Sequence, residues 1–321
     1  MEHAESERRS KSTFDIGSAP LSRVQELLHD VFPHSPKFQD DGAFLDWLYL
    51  QNPDGPAIWR DAMVDGQTFA HYGTVPQRYH SLKGEERLYL SVHSATHADY
   101  RGRGTFAALG EATYALQRER LPETVGVIGV PNREAAPPRR KRLGWSLYET
   151  LPLKVSIGLP IAMSKGISGL ATELISDASI VPDEMFLPRA GWRQHWTREK
   201  LLWRASNPLE TIWLHRLGPV CALVSVRRRM GLPVVAVVVK TFTLPAENPV
   251  SIRPLVASIR ARHGVTAVAH IGRNADIVMP GFDFPERWRP SPLTLGGRAL
   301  RPSSFDYRQI DCFEAWDYDV F

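Results

Sequence analysis

Cysteine is nearly missing: Cys221 and Cys312 are the two among 321 residues. Two thiols cannot build a disulfide scaffold, and these two lack the paired spacing of a zinc site, so no metal centre is expected. Long apolar runs are missing too. The longest clean stretch, residues 234–239, falls far short of the ~20 residues that span a bilayer, and residues 1–12 are rich in charge. No membrane span, membrane partner or secretory leader is expected, and the scarcity of cysteine points to the cytoplasm. Charge of one sign is also scarce. With 39 Lys and Arg against 35 Asp and Glu, the net charge is +4 and the pI near 9.1. That balance suits small phosphorylated ligands. Without a groove-binding or stacking motif it gives no nucleic-acid footprint.

What is present is a hydrophobic content of 43%, enough for packed cores in a chain long enough for two domains. Apolar residues at helical spacing predict helices over 21–31 and 41–50. Strand-like segments follow at 57–64, closed by a turn at Asp65-Gly66, then at 68–75 and 87–93, which reads as an antiparallel meander. In the last of these, Leu88, Leu90 and Val92 alternate with Tyr89, Ser91 and His93, so one face packs on a core and the other lines a cleft. An amphipathic helix over 104–118 and a short buried strand over 125–130 complete the unit.

The pattern then restarts. Leu45-Asp46-Trp47 leading to Asn52-Pro53 is echoed by Leu201-Leu202-Trp203 leading to Asn207-Pro208, with strand-like text after each copy. Matched patterns in matched order signal a duplicated unit. The second copy continues with strands at 220–227, 234–239 and 265–271 and a helix at 251–262. Between its strand and helix stand Pro245 and Pro249, which lack the N–H groups an anion needs. The expected division is a disordered tail at 1–13, one domain at 14–160 and a second at 161–321 that shapes and caps.

In the first copy that junction is Arg101-Gly102-Arg103-Gly104-Thr105-Phe106. Glycines let backbone approach a phosphate without a clashing β-carbon, and the helix start supplies N–H groups and partial positive charge. Among histidines, whose neutral imidazole can take a proton near pH 7, His93 and His71 lie on neighbouring strands and are the candidate bases. Glu134 is a secondary candidate. Arg139-Arg140-Lys141-Arg142 reads either as a phosphate attractor or as a solvated helix face.

The stretch from His97 to Phe106 resembles the coenzyme A-binding signature R/Q-x-x-G-x-G/A of the GCN5-related N-acetyltransferase superfamily, with Phe106 where a small residue is usual. Asn132 and Arg142-Leu143-Gly144-Trp145 resemble further segments of that family, and the terminal Trp316-Asp317-Tyr318-Asp319 is similar to large two-domain members associated with amino-sugar and polysaccharide acylation. The resemblance implies an α/β (α+β) fold: a mixed, mostly antiparallel sheet with splayed central strands flanked by helices, in tandem with a second, degenerate domain that lacks the phosphate-binding turn. It implies acetyl-CoA or another short acyl-CoA as co-substrate, held by Ser94, Ala95 and Thr96 of the fourth strand, by Arg101 to Phe106 (Arg101, Gly102, Arg103, Gly104, Thr105, Phe106) and by Asn132. The expected activity is transfer of a short acyl group to a small-molecule primary amine. The tyrosine that many relatives carry after the fifth strand, to protonate the departing thiolate, is missing from residues 133–138. A non-catalytic acyl-CoA-binding module, or a transferase drawing on an acyl carrier protein or aminoacyl-tRNA, stays open as an alternative.

Overall fold

The computed structural model describes residues 14–39, 41–160, 170–174, 178–289 and 293–318; the expected tail at 1–13 lies outside them. The first half runs β1 (Asp15–Gly17), α1 (Leu21–Val31), α2 (Ala43–Leu50), β2 (Ile58–Val64), β3 (Gln67–Ser81), β4 (Gly84–Thr96), α3 (Thr105–Arg120), β5 (Thr124–Gly129), α4 (Ala136–Arg142), β6 (Ser146–Thr150) and β7 (Leu153–Ile157). The second runs β8 (Leu170–Leu174), β9 (Trp192–Gln194), α5 (Arg198–Ala205), β10 (Ile212–Leu217), β11 (Val220–Arg229), β12 (Leu232–Thr243), β13 (Val250–Ser251), α6 (Arg253–His263), β14 (Ala267–Asn274), β15 (Ile277–Val278), β16 (Phe282–Asp283), β17 (Thr294–Ala299) and β18 (Ile310–Glu314).

Strands β2, β3 and β4 form the expected antiparallel meander, and β4 pairs in parallel with β5. On one face, α1 and α2 bury Val24, Leu28, Phe44 and Tyr49 against Val75, Leu88 and Leu90. On the other, α3 buries Leu109 and Tyr114 against Tyr72, Tyr89 and Val127. The second half repeats the order, with β10, β11 and β12 as its meander, α6 as its crossover helix and β12 parallel to β14.

The repeated Trp residues meet where the halves join. Trp47 Nε1 donates to the Trp203 carbonyl at 2.8 Å, Trp203 Nε1 donates back to the Trp47 carbonyl at 3.1 Å, and their rings stack at 5.0 Å. Such reciprocity is the mark of a two-fold relation. After each helix the asparagine closes the same local turn, Asn52 Oδ1 accepting from Asp54 N and Asn207 Oδ1 from Leu209 N, both at 3.0 Å.

The halves also exchange strands. β17 inserts between β5 and β6, whereas β7 pairs with β14. A boundary at residue 160 therefore separates strands that share a sheet. The periodicity of β17, with Gly296 and Gly297 at its centre, gave the sequence no strand signal there.

Buried charges fasten the joint. Lys200 of α5 is paired with Asp54, which also accepts from Arg78 Nε at 2.9 Å. Burial alone would raise the Asp54 pKa, but Lys200 and Arg78 hold it below the ordinary carboxylate value. A second cluster closes the second half: Lys240 Nζ lies 2.6 Å from Asp317 and 3.2 Å from Glu314, and Glu314 Oε1 bonds His270 Nε2 at 2.9 Å. Burial pushes Glu314 up, but Lys240 and these hydrogen bonds outweigh it and hold the pKa at about 2.

A carboxylate whose folded pKa is depressed stabilises the fold above its unfolded value and loses that contribution as pH falls through the folded one. For Glu314 the window runs from 4.5 down to about 2. Its contribution at neutral pH is on the order of 3 kcal/mol. The thermal midpoint should fall steeply across this window, and Glu314→Gln should be less stable at pH 7 and flatter below pH 4.5 in melts followed by circular dichroism. A variant with the wild-type slope would contradict this assignment.

Candidate active site

The parallel pairing of β4 and β5 runs from Arg87↔Thr124 to Leu90↔Ile128 and stops there, although β4 continues to Thr96. Beyond Leu90 the two strands splay, and two adjoining cavities occupy the opening. One, of about 430 Å³, is lined by Leu90 to Ser94, Pro131, Arg139, Tyr318 and the Phe32–Phe38 loop between α1 and α2. The other, of about 320 Å³, is lined by Ser94, Ala95, Thr96, Asn132, Glu134 and the whole turn from Arg101 to Phe106. Phe32, Ser94, Asn132 and Ala135 line both, so they form one groove.

The glycine turn forms one end of the groove. Gly102 and Gly104 both have φ of +81°, the left-handed region that glycine adopts without penalty, and a β-carbon on either would meet no protein atom within 4 Å. Gly104 precedes the first residue of α3, where the amides of Thr105 and Phe106 have no intrahelical acceptor. The arginines brace the loop: Arg101 Nε donates to the Thr96 carbonyl at 3.2 Å and Arg103 Nη2 to the Asp99 carbonyl at 3.1 Å. Phe106 packs its ring on Tyr72, which explains a large residue where a small one is usual. All ten residues expected to hold the coenzyme line this end of the groove.

His93 stands at the other end. The β3–β4 register shifts from His71↔Ala95 to Gly73↔Val92, which leaves His93 and Ser94 bulged opposite Tyr72. His93 takes a φ of 47°, uncommon for a residue with a side chain, and its ring lies among Phe38, Phe44 and Tyr49. His71 is not beside it in the cleft: it is 1% exposed and covered by Tyr49. The two are joined through that tyrosine. Asp61 Oδ1 lies 2.7 Å from His71 Nδ1, His71 Nε2 lies 2.9 Å from the Tyr49 hydroxyl, and the same hydroxyl lies 3.4 Å from His93 Nδ1.

The carboxylate sets the direction of this chain. Asp61 accepts from His71 Nδ1–H, so His71 Nε2 accepts from the Tyr49 hydroxyl, which also stands within reach of His93 Nδ1. Gly73 makes room for it, since a β-carbon there would lie 2.2 Å from the Tyr49 hydroxyl. Glu134 is exposed at the lip of the phosphate-end cavity, which His93 does not line, so the structure does not bring it to the histidines. Of the basic run, Arg140, Lys141 and Arg142 are exposed, but Arg139 turns inward and is 5% exposed.

Sequence reasoning missed Asp61, Tyr49 and Tyr318. Tyr318 lines the cavity of His93 with its hydroxyl buried and without a hydrogen-bond partner among the described residues. Burial, with Asp317 and Glu314 nearby, raises its pKa, so it stays a protonated donor. The second half differs at the corresponding place. Its parallel pairing ends at Val238↔His270, and past that point the Glu314 carboxylate accepts from Thr241 N at 3.1 Å and Thr241 Oγ1 at 2.6 Å.

A mixed sheet whose β4–β5 parallel pair splays ahead of a glycine turn and helix, followed by a second unit of like strand order, is a fold shared with solved GCN5-related N-acetyltransferases, a tandem one among them. Solved structures agree. A GCN5-related N-acetyltransferase from Anabaena variabilis matches with a TM-score of 0.61 at 14% identity, over 90% of this chain and 73% of that one. A probable N-acyltransferase from Enterococcus faecalis matches at 0.59 and 12%, over 89% and 72%. A tandem protein of this fold from the clavulanic acid biosynthesis pathway matches at 0.52 and 11%, over 91% of this chain and 100% of that one. No protein-family model and no curated relative matches the sequence.

Proposed function

We propose that this chain is an acyl-CoA-dependent N-acyltransferase acting on a small-molecule primary amine. The observation that carries the reading is the single groove through the β4–β5 splay, with an anion-binding turn at one end and a tethered histidine at the other. The residues fit the coenzyme: two left-handed glycines leave open space before a helix start, and β4 beyond Leu90 presents backbone that no neighbouring strand of the β5 side pairs.

Acyl-CoA, when bound, supplies an activated thioester. The chain's own residues do the rest. The Gly102–Phe106 backbone binds the pyrophosphate, and amides of β4 between Val92 and Thr96 stabilise the oxyanion that forms as the amine attacks. His93 takes the first of the two protons that the substrate ammonium loses. Tyr49, His71 and Asp61 then hold the resulting imidazolium, because each passes hydrogen-bond density back from a buried carboxylate. As the tetrahedral intermediate collapses, the second proton of the attacking nitrogen passes through solvent to the departing thiolate, and Tyr318, held protonated by its burial, donates a hydrogen bond to that sulfur. An amine that also carries phosphate, such as a nucleotide-linked amino sugar, suits Lys37 in the groove and the exposed Arg140, Lys141 and Arg142 beside it.

Calorimetric titration with acetyl-CoA and with free coenzyme A tests the donor site, with dissociation constants expected in the micromolar range usual for such substrates. Thiol release in the presence of an amine panel tests the chemistry. Binding without thiol release would favour the non-catalytic alternative, and absence of binding would refute the donor assignment.

A further inference from the structure

We infer that the acyl group this chain transfers ends in a carboxylate, and that Arg139 recognises it. The inference rests on the coenzyme reading above. Although Arg139 belongs to a helix whose neighbouring basic residues are exposed, its guanidinium is buried beneath the β4 bulge. Nη1 donates to the Tyr72 hydroxyl at 2.9 Å and to Ser91 Oγ at 3.0 Å, and Nη2 donates to Ser94 Oγ at 3.2 Å. The rings of Trp145, Phe106 and Tyr72 lie 4.8, 5.4 and 5.5 Å away.

Every one of these partners is neutral, and no carboxylate among the described residues pairs with Arg139. The two buried lysines are treated differently, Lys200 facing Asp54 and Lys240 facing Asp317 and Glu314. A guanidinium offers five N–H donors. Here three are used, Nη2 keeps a second, and Nε is buried without an acceptor. A charge buried against neutral groups alone is costly, and an anion that arrives with the ligand would remove the cost.

Position identifies that anion. Arg139, Ser91 and Ser94 line the same cavity as His93, while the coenzyme phosphates belong to the turn in the adjoining one. The amine approaches on the His93 face, among Phe38 and Phe44. Arg139 packs instead with Tyr72, Phe106 and Trp145, on the α3 side of the sheet, where a thioester held at the turn before α3 would enter the splay. The negative group that reaches it is therefore the far end of a short dicarboxylic acyl group, of the malonyl or succinyl kind.

The test compares kcat/KM of the wild-type chain for acetyl-, butyryl-, malonyl- and succinyl-CoA with one amine, alongside calorimetric binding of each ester. Carboxylate-bearing donors should be preferred over the neutral ones by roughly tenfold to a hundredfold, the worth of one or two charge-assisted hydrogen bonds. Arg139→Gln, which keeps a donor for the hydroxyls, should erase the preference. Arg139→Lys, which keeps the charge, should retain part of it. Equal or better use of acetyl- or butyryl-CoA by the wild type overturns this inference and leaves the transferase reading intact. Failure of every ester to bind overturns both.

Discussion

Gly104→Val should lose at least about a thousandfold in acyl-CoA affinity, some 4 kcal/mol, in a protein that still folds. The two parts of that expectation come from different observations. Gly104 has a φ of +81°, so a β-branched residue is strained there by about 1–2 kcal/mol. A β-carbon at Gly104 meets no protein atom within 4 Å, so nothing in the core is displaced. What the side chain does enter is the space in front of the Thr105 and Phe106 amides, where the pyrophosphate is proposed to lie. Gly231→Val is the control, because Gly231 in the β11–β12 turn has a φ of +79° and equally open surroundings far from the groove. It should show the same loss of thermal stability with unchanged calorimetric affinity. Undiminished binding by a folded Gly104→Val would remove the turn from the donor site.

Much of this site could be read from the sequence, and what could not has a geometric reason. Helix α1 was legible to the residue because Val24, Leu27 and Leu28 fall on one helical stripe. The glycine turn was legible because its signal is local, two glycines and a helix start within a few residues. The surroundings of the two candidate histidines were legible only in part. A two-residue turn at Asp65-Gly66 pairs Val64 with Gln67 and would place Asp61 opposite Ala70; a bulge between Ala62 and Met63 instead sets Asp61 opposite His71. One irregular residue thus creates the buried Asp–His pair, and no periodicity announces it. β17 pairs with β5 from about 170 positions further along the chain, and Tyr318 lines the cavity of His93 from 225 positions away, contacts that local pattern cannot encode. Arg139 was hidden for the opposite reason. It stands in a run of four basic residues that looks solvated, and only the tertiary fold turns one of them inward.

His93→Gln should lower kcat by about 10² to 10⁴-fold while leaving coenzyme affinity close to wild type, since a positioned base contributes that much and the residue does not touch the phosphate turn. The acid limb of the pH–rate profile should disappear with it, because the group whose protonation shuts off the wild type is then gone. Asp61→Asn distinguishes a tethered base from a lone one. It leaves His93 in place but removes the carboxylate that fixes the His71 tautomer, so the bond through Tyr49 no longer favours the imidazolium. A smaller loss of kcat than in His93→Gln is expected, with the acid limb shifted to higher proton concentration at lower rate, because an imidazolium with weaker support forms at lower pH. If the four groups act as one unit, His93→Gln combined with Asp61→Asn should cost no more than His93→Gln alone. Additive losses would instead mean that Asp61 and His71 stabilise β2 and β3 independently of the reaction. Near-normal turnover after replacing His93 and His71, singly and together, would take both out of the mechanism and leave proton removal to solvent.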